Sequence, residues 1–144
     1  MLVVDTNVLI YAANEDAPEH ERCRELVEGW RRGREPWYTT WAILYEFARV
    51  VTHPRVLVAP WTAAAAFEFI EALRAAPSHG ILIESERHLA VAREVVDEVP
   101  GLSGNLLHDF HTAVLMREHG VARVMTRDAD FRRFPFLEVI DPLS

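Results

Sequence analysis

Short apolar runs alternate along this chain with longer segments in which apolar residues recur every three or four positions. Short runs bounded by turn-forming residues indicate buried strands, and the longer periodic segments indicate amphipathic helices. Strands that alternate with helices favour parallel pairing through crossover connections. The pattern therefore predicts an α/β protein, with a sheet between two helical layers in a three-layer α/β/α sandwich. The predicted strands are residues 2–4, 37–40, 80–83, 123–126 and 137–140.

Two of the predicted helices carry a clear apolar stripe on one face. Thr62 and Ser85 are placed to cap the starts of these two helices, because their hydroxyls can accept a hydrogen bond from the first turn. Pro100-Gly101 marks the end of the second helix. The first stripe is Ala66, Phe69, Ile70 and Leu73, and the second is Leu89, Ala92, Val96 and Val99.

The length of 144 residues at 50% hydrophobic content predicts one domain over residues 1–144. The first residues, 1–5, lack the basic region of a signal peptide, and no stretch reaches the ~18 apolar residues of a membrane span. Cys23 is the only cysteine, which excludes an intrachain disulfide and a multi-cysteine zinc site. We therefore expect a cytoplasmic protein with no membrane partner.

The chain carries a formal net charge of −7, which argues against strong non-specific binding to nucleic acid. All of its basic residues are arginines, and the absence of lysine excludes Schiff-base chemistry and P-loop phosphate binding. Arginines cluster at 22–34 and 117–133. Basic patches can therefore coexist with an acidic total. For the first cluster, a solvated helix face with intrahelical ion pairs is an equally open alternative.

Four carboxylates occupy positions where an acid is costly or close to a ligand site. Asp5 closes the first strand and Asp128 follows the fourth, so both lie at the carboxyl edge of the sheet, where α/β proteins bind ligands. Asp109 takes a place in the apolar stripe of a helix that starts near Asn105. Glu46 lies within the apolar segment 41–51, so we expect its side chain to be largely desolvated.

Each of these acids also has a purely local interpretation. Asp5 can cap the following helix, Asp109 can complement its own helix N-terminus, Glu46 can pair with Arg49, and Asp128 can close a turn. If the four converge, two carboxylates ~5 Å apart repel by about 3 kcal/mol at an effective dielectric of 20. A divalent cation would relieve that repulsion, and all-oxygen ligands select Mg²⁺ or Mn²⁺. Such a site suits phosphoryl chemistry.

Four segments in order along the chain resemble a PIN-domain ribonuclease of the VapC toxin type. They are Leu2-Val3-Val4-Asp5-Thr6-Asn7-Val8-Leu9-Ile10, Leu44-Tyr45-Glu46-Phe47, His108-Asp109-Phe110-His111-Thr112-Ala113 and Met125-Thr126-Arg127-Asp128-Ala129-Asp130-Phe131.

This resemblance implies a five-stranded parallel sheet and an acidic quartet that holds Mg²⁺ or Mn²⁺. It also implies endoribonuclease cleavage of RNA to a 5′-phosphate and a 3′-hydroxyl, homodimerisation, and inhibition by a VapB-type antitoxin in a toxin-antitoxin pair. Asp130 can replace or assist Asp128 as the fourth acid. The implied quartet is Asp5, Glu46, Asp109 and Asp128, supported by Thr6, Asn7 and Thr126.

Arginines close to the predicted site are candidates for contacts to the phosphates that flank the scissile bond. These are Arg127, Arg132 and Arg133. Alternatively, these arginines only keep the surface of a short helix soluble and contact no phosphate.

Three other functions compete with the nuclease. A non-catalytic binding module on the same scaffold would keep the acids for folding or partner recognition, and a Mn²⁺ titration would separate it from the enzyme. The pair His108-Asp109 is also found in HD-type phosphohydrolases, but that family is all-helical. A phosphoryl acceptor that uses Asp5 is disfavoured because such proteins commonly require a lysine.

Overall fold

The computed structural model describes residues 1–144 and contains one five-stranded sheet in which all neighbouring strands are parallel. The strand order across the sheet is β3-β2-β1-β4-β5. The three-layer prediction is confirmed, as is the five-stranded sheet that the resemblance implies. The strands are β1 (Leu2–Val4), β2 (Trp37–Thr39), β3 (His79–Ile81), β4 (Arg123–Met125) and β5 (Glu138–Ile140).

Six α-helices connect these strands, and a 3-10 helix at Ala129–Arg133 lies between β4 and β5. Helix α1 packs against α2 and α3, and α3 packs against α4; α5 packs against α6, and α6 against the 3-10 helix. Right-handed crossovers place these two groups on opposite faces of the sheet. The helices are α1 (Thr6–Ala13), α2 (His20–Arg32), α3 (Trp41–Val51), α4 (Ala63–Arg74), α5 (His88–Glu98) and α6 (Leu106–His119).

The chain reverses its direction of travel across the sheet at the central strand β1. It first moves outward from β1 through β2 to β3, and then returns to the other side of β1 for β4 and β5. At such a reversal, helices leave towards opposite faces and open a crevice at the carboxyl ends of the strands. In this protein, the crevice lies where β1 and β4 end.

The centre of the sheet is covered on both faces. Val3, Val4 and Val124 are fully buried, and 33 buried apolar residues form one connected cluster around them. This explains why the strands appear in the sequence as continuous apolar runs rather than as alternating patterns.

Half of the ten strand boundaries agree with the predicted ones, and all but one of the others differ by a single residue. The second strand ends at Thr39 because the hydroxyl of Thr40 accepts a hydrogen bond from the backbone N–H of Ile43 and caps α3. The third strand starts one residue earlier and ends two earlier than predicted, at His79–Ile81.

Two predictions about α5 are wrong. Leu89 and Val96, in the predicted stripe, are 74% and 45% exposed, whereas the buried stripe passes through Val91 and Val95. Ser85 does not cap this helix, which begins at His88 without a side-chain cap. The Ser85 side chain instead bonds to Glu118 on α6 and accepts from the backbone N–H of Arg87. The Thr62 cap and the first stripe are confirmed.

None of the helices combines the length and the apolar character that crossing a membrane requires.

Candidate functional site

Asp5 follows β1 directly and is held by several hydrogen bonds. Its Oδ1 accepts from the backbone N–H of Thr6 at 2.8 Å, which caps α1. Its Oδ2 accepts from the Thr126 hydroxyl at 2.8 Å and from the Asn7 amide at 3.0 Å. A carboxylate has about four acceptor positions, so three are filled and one is left for another ligand.

Thr126 and Asn7 link the ends of β1 and β4. The Thr126 hydroxyl accepts from the Asn7 side chain and from the backbone N–H of Asp128, both at 2.9 Å. The Asn7 carbonyl in turn accepts from the backbone N–H of Arg127 at 3.1 Å. Thr6 is placed differently, because its hydroxyl points to the carbonyl of Ile43 on α3 at 3.4 Å and only its backbone contacts Asp5. Thr126 and Asn7 therefore fix both the carboxylate of Asp5 and the turn that carries Asp128.

Three further carboxylates meet beside this network. Asp109, Asp128 and Asp130 each bring one carboxylate oxygen within 4.8 Å of the others. Asp109 lies in the first turn of α6, and Asp128 caps the 3-10 helix by accepting from the backbone N–H of Asp130 at 2.9 Å. Asp109 and Asp128 therefore have the local roles predicted from the sequence, and their carboxylates also meet Asp130 in one cluster.

The electrostatics of the cluster follow from this crowding. Burial raises the pKa of Asp5, although hydrogen bonds from Thr126 and Thr6 oppose the shift. Burial also raises the pKa of Asp109, with the charges of Asp128 and Asp5 adding to it, to about 8. Burial first, and then the neighbouring negative charges, therefore disfavour the ionised form of Asp109.

Glu46 contradicts the expectation that it would be largely desolvated. Its side chain is 44% exposed and makes two bonds to Arg49, at 2.6 and 2.9 Å. The hydrogen bond from Arg49 lowers the pKa of Glu46. The reason is positional: residue 46 lies at the edge of the buried face of α3, between exposed Tyr45 and buried Phe47.

All five candidate metal ligands nevertheless line one cleft of about 280 Å³. Asn105, His108, His111 and Thr112 complete its polar wall. The sequence singled out His108 through the HD-type alternative, which the parallel sheet excludes, whereas His111 appears there only within the segment 108–113. The cleft residues shared with the predicted site are Asp5, Glu46, Asp109, Asp128 and Asp130.

The arginines predicted to contact phosphates do not line this cleft. Arg127 forms ion pairs with Glu19 and Asp141, both at 3.4 Å, and Arg133 donates to the carbonyl of Pro100 at 3.2 Å. Arg132 borders a neighbouring depression with Arg127. The negative charges of Glu19 and Asp141 hold Arg127 on that side of the molecule.

The residues present fit a hard divalent cation. Their donor atoms are all oxygens, they belong to groups whose repulsion a cation would relieve, and the cleft gives access from solvent. Asp109, Asp128 and Asp130 are close enough to share one ion after small side-chain movements. The acidic cluster can therefore bind a metal.

Comparison with known proteins agrees with this geometry. The family model described as "PIN domain" matches residues 2–137. Ribonuclease VapC48 of Mycobacterium tuberculosis is 36% identical over 140 residues, which cover 97% of this chain and 96% of that protein. Ribonuclease VapC43 of the same organism is 36% identical over 144 residues, with 100% and 97% covered.

The fold has solved relatives as well. The crystal structure of VapBC2 from Rickettsia felis, bound to a DNA fragment from its promoter, contains a chain that superposes with a TM-score of 0.67 at 16% identity. The superposition covers 96% of both chains. The sequence matches show that this chain, with its acidic cleft at the end of β1, belongs to the PIN-domain family and, within it, to the VapC ribonucleases.

Proposed function

We propose that this protein is a Mg²⁺- or Mn²⁺-dependent endoribonuclease and the toxin of a type II toxin-antitoxin pair. The observation that carries the proposal is the meeting of Asp109, Asp128 and Asp130 within 4.8 Å, in a cleft that Asp5 and Glu46 also line. Named relatives with 36% identity are ribonucleases. Residues 1–144 act as one catalytic unit in this proposal.

The five carboxylates divide into an inner and an outer group. Asp5, Asp109 and Asp128 come from the end of β1, from α6 and from the turn after β4; Asp5 is buried and the other two are half-buried. We assign direct binding of the cation to these three. Asp130 is exposed and assists Asp128, while Glu46 must first release Arg49. Thr126 and Asn7 act as positioning residues that hold Asp5 and Asp128.

In the proposed reaction, water adds to the phosphorus of an RNA phosphodiester and the bond from phosphorus to the 3′ oxygen breaks. That oxygen takes up a proton, which leaves a 3′-hydroxyl and a 5′-phosphate. When bound, a divalent cation would supply electrostatic stabilisation of the transferring phosphoryl group and would make water a better nucleophile. Asp109 and Asp128 would hold this cation through their carboxylate oxygens.

The acidic cleft receives RNA only because bound cations reverse its local charge. Since Arg127 and Arg133 are engaged elsewhere, we assign the first contacts with the RNA backbone to His108 and Asn105 on the cleft wall. Arg132, which makes no ion pair, remains a candidate for a more distant phosphate.

The partners proposed are a second copy of the chain and a VapB-type antitoxin. Several large apolar side chains remain exposed on α3 and α4, including Trp41, Tyr45 and Phe67, with the last two in edge-to-face contact at 5.9 Å. Exposed apolar groups of this kind mark interaction surfaces. We propose a cytoplasmic location, which suits an RNA substrate and a lone buried cysteine.

Cleavage of a structured RNA by the purified protein tests the function. We expect cleavage in Mn²⁺ or Mg²⁺, none in a chelator, and 5′-phosphate ends on the products. Asp109→Asn should lower the rate by at least 100-fold, whereas Asp97→Asn, on the exposed side of α5, should leave it unchanged. A fully active Asp109→Asn protein would contradict the proposal.

A further inference from the structure

A second group of potential metal ligands lies beside the acidic cleft. Glu84, His88 and His111 each bring one ligand atom within 4.8 Å of the others. Glu84 is in the irregular segment after β3, His88 is the first residue of α5, and His111 is on α6. The group therefore joins α6 to a short stretch of chain that follows β3 and begins α5, since Glu84 and His88 are only four residues apart.

Glu118 fixes the orientation of His88 from the buried side of the imidazole ring. The Oε1 of Glu118 lies 2.6 Å from Nδ1 of His88, and its Oε2 accepts from the backbone N–H of Ser85 at 2.5 Å and from the Ser85 hydroxyl. The Glu118 side chain is fully buried. With Nδ1 of His88 bound to this carboxylate, Nε2 is the ring nitrogen left free to bind a cation.

A carboxylate behind a histidine is the arrangement that orients metal-binding imidazoles in proteins. It fixes the tautomer and increases the basicity of the free nitrogen. Burial alone would raise the pKa of Glu118, but the hydrogen bonds from Ser85 and His88 outweigh burial and hold the pKa at about 2. The contact of 2.6 Å between Oε1 of Glu118 and Nδ1 of His88 places this carboxylate to act in this way.

The front of the group is open to solvent. The side chains of His88, His111 and Glu84 are 27%, 33% and 48% exposed, so an ion can enter without unfolding the segment. Nε2 of His111 lies 2.7 Å from Oε1 of Glu84, and the two imidazole rings are nearly perpendicular with centroids 5.9 Å apart. Two imidazoles and one carboxylate already face one another.

We propose that Glu84, His88 and His111 form a binding site for a transition-metal ion of the Zn²⁺ type beside the acidic centre, with His111 on the wall between the two. Two imidazole nitrogens and one carboxylate oxygen are donors that zinc favours, with water in the fourth position. The acidic centre offers only oxygens and selects harder ions. The bound ion connects the segment 82–87 and α5 to α6.

Small side-chain movements complete the coordination. Ligand bonds of about 2.0–2.2 Å in a tetrahedron place ligand atoms about 3.3 Å apart. Glu84 must therefore withdraw slightly from His111, and the group must contract from its present 4.8 Å limit. Glu84 is half exposed on an irregular segment and is free to make this adjustment.

Zinc binding to the purified protein, measured by calorimetry, tests the proposal independently of RNA cleavage. We expect one equivalent of Zn²⁺ to bind to the Asp109→Asn, Asp128→Asn double variant, in which the acidic centre is impaired. X-ray absorption at the zinc edge should show two imidazole ligands. Failure of this variant to bind zinc, or an all-oxygen environment, would overturn the proposal.

Single substitutions locate the site. His88→Gln keeps a donor for Glu118 but removes the imidazole, and Glu84→Gln changes only an exposed group; each should weaken zinc binding at least 10-fold. His53→Gln, in an exposed loop, is the matched control and should bind as the wild type does. If His88→Gln and Glu84→Gln, folded by circular dichroism, bind zinc with unchanged affinity, the cluster is a metal-free hydrogen-bond network and the proposal is wrong.

Discussion

The carboxylate of Asp5 has a structural role and a chemical role at the same time. It caps α1 through Oδ1, while Oδ2 accepts from Thr126 and Asn7 and keeps one acceptor position open. Asp128 combines capping of the 3-10 helix with a place in the acidic cluster in the same way. A local explanation for an acid is therefore no argument against its part in catalysis.

Asp109 gives the metal-free protein a distinct pH dependence. Its pKa in the folded state is raised from 3.8 to about 8, so between these values the unfolded chain ionises while the folded protein resists. The free energy of unfolding should fall as pH rises through that window, by at most about 3 kcal/mol for a partly exposed pair at close range. In the Asp109→Asn variant, the free energy of unfolding should fall less over the same pH range.

Urea unfolding at pH 5 and pH 8 in the presence of a chelator measures this difference. Comparison with the variant removes the contribution of all other titratable groups, because both proteins share them. A wild-type protein that gains stability towards pH 8 relative to Asp109→Asn would contradict the prediction.

Thr126 provides a second prediction for a single residue. Thr126→Val removes the donor to Asp5 and the acceptor for Asn7 and the backbone N–H of Asp128. Because these groups are largely buried, we expect a loss of about 1–3 kcal/mol in stability and weaker Mn²⁺ binding. Thr126→Ser should restore Mn²⁺ affinity, since the hydroxyl is retained. Equal Mn²⁺ affinity in the valine and serine variants would show that the hydroxyl does not position the site.

Helix α6 organises both clusters of candidate ligands. Its first turn carries Asp109, its middle carries His111 at the margin of the cleft, and its last turn carries buried Glu118. Helix α5 contributes differently, because its buried stripe of valines is offset from the predicted one and presents His88 towards α6. The register of α5 thus decides whether the second cluster forms.

Two glutamates near this helix pair should behave very differently when removed. Glu118→Ala leaves the backbone N–H of Ser85 and the ring of His88 without a partner, so we expect a loss of about 1–3 kcal/mol. Glu98→Ala removes only an exposed ion pair with Arg117, which is worth about 0–1 kcal/mol. Chemical denaturation of both variants tests the comparison, and equal losses would contradict the burial argument.

For the whole molecule, strand order explains how distant residues form one site. The reversal at β1 brings the ends of β1 and β4 together, so that positions 5 and 126 share a hydrogen bond across 121 residues of sequence. Helix α6 leads directly into β4, which places Asp109 above the same edge.

The sequence predicts the carboxyl edge of the sheet well, because the apolar runs and the acids that follow them are local patterns. Asp5 and Asp128 are placed correctly at strand ends for that reason. The exposure of Glu46 was not predictable from its apolar neighbours, since it depends on where the buried face of α3 ends. The group of Glu84, His88 and His111 depends on the packing of α6 against the start of α5 and the segment before it, which no local pattern reports.

Mn²⁺ binding to the wild type, Asp109→Asn and Asp97→Asn, followed by calorimetry and thermal unfolding, tests the central claim that these carboxylates share a divalent cation. We predict that Mn²⁺ at 100 times its dissociation constant stabilises the wild type and Asp97→Asn by about 2.7 kcal/mol. Asp109→Asn should bind at least 10-fold more weakly. Absence of Mn²⁺ binding to the wild type, or equal binding to Asp109→Asn, would contradict the account.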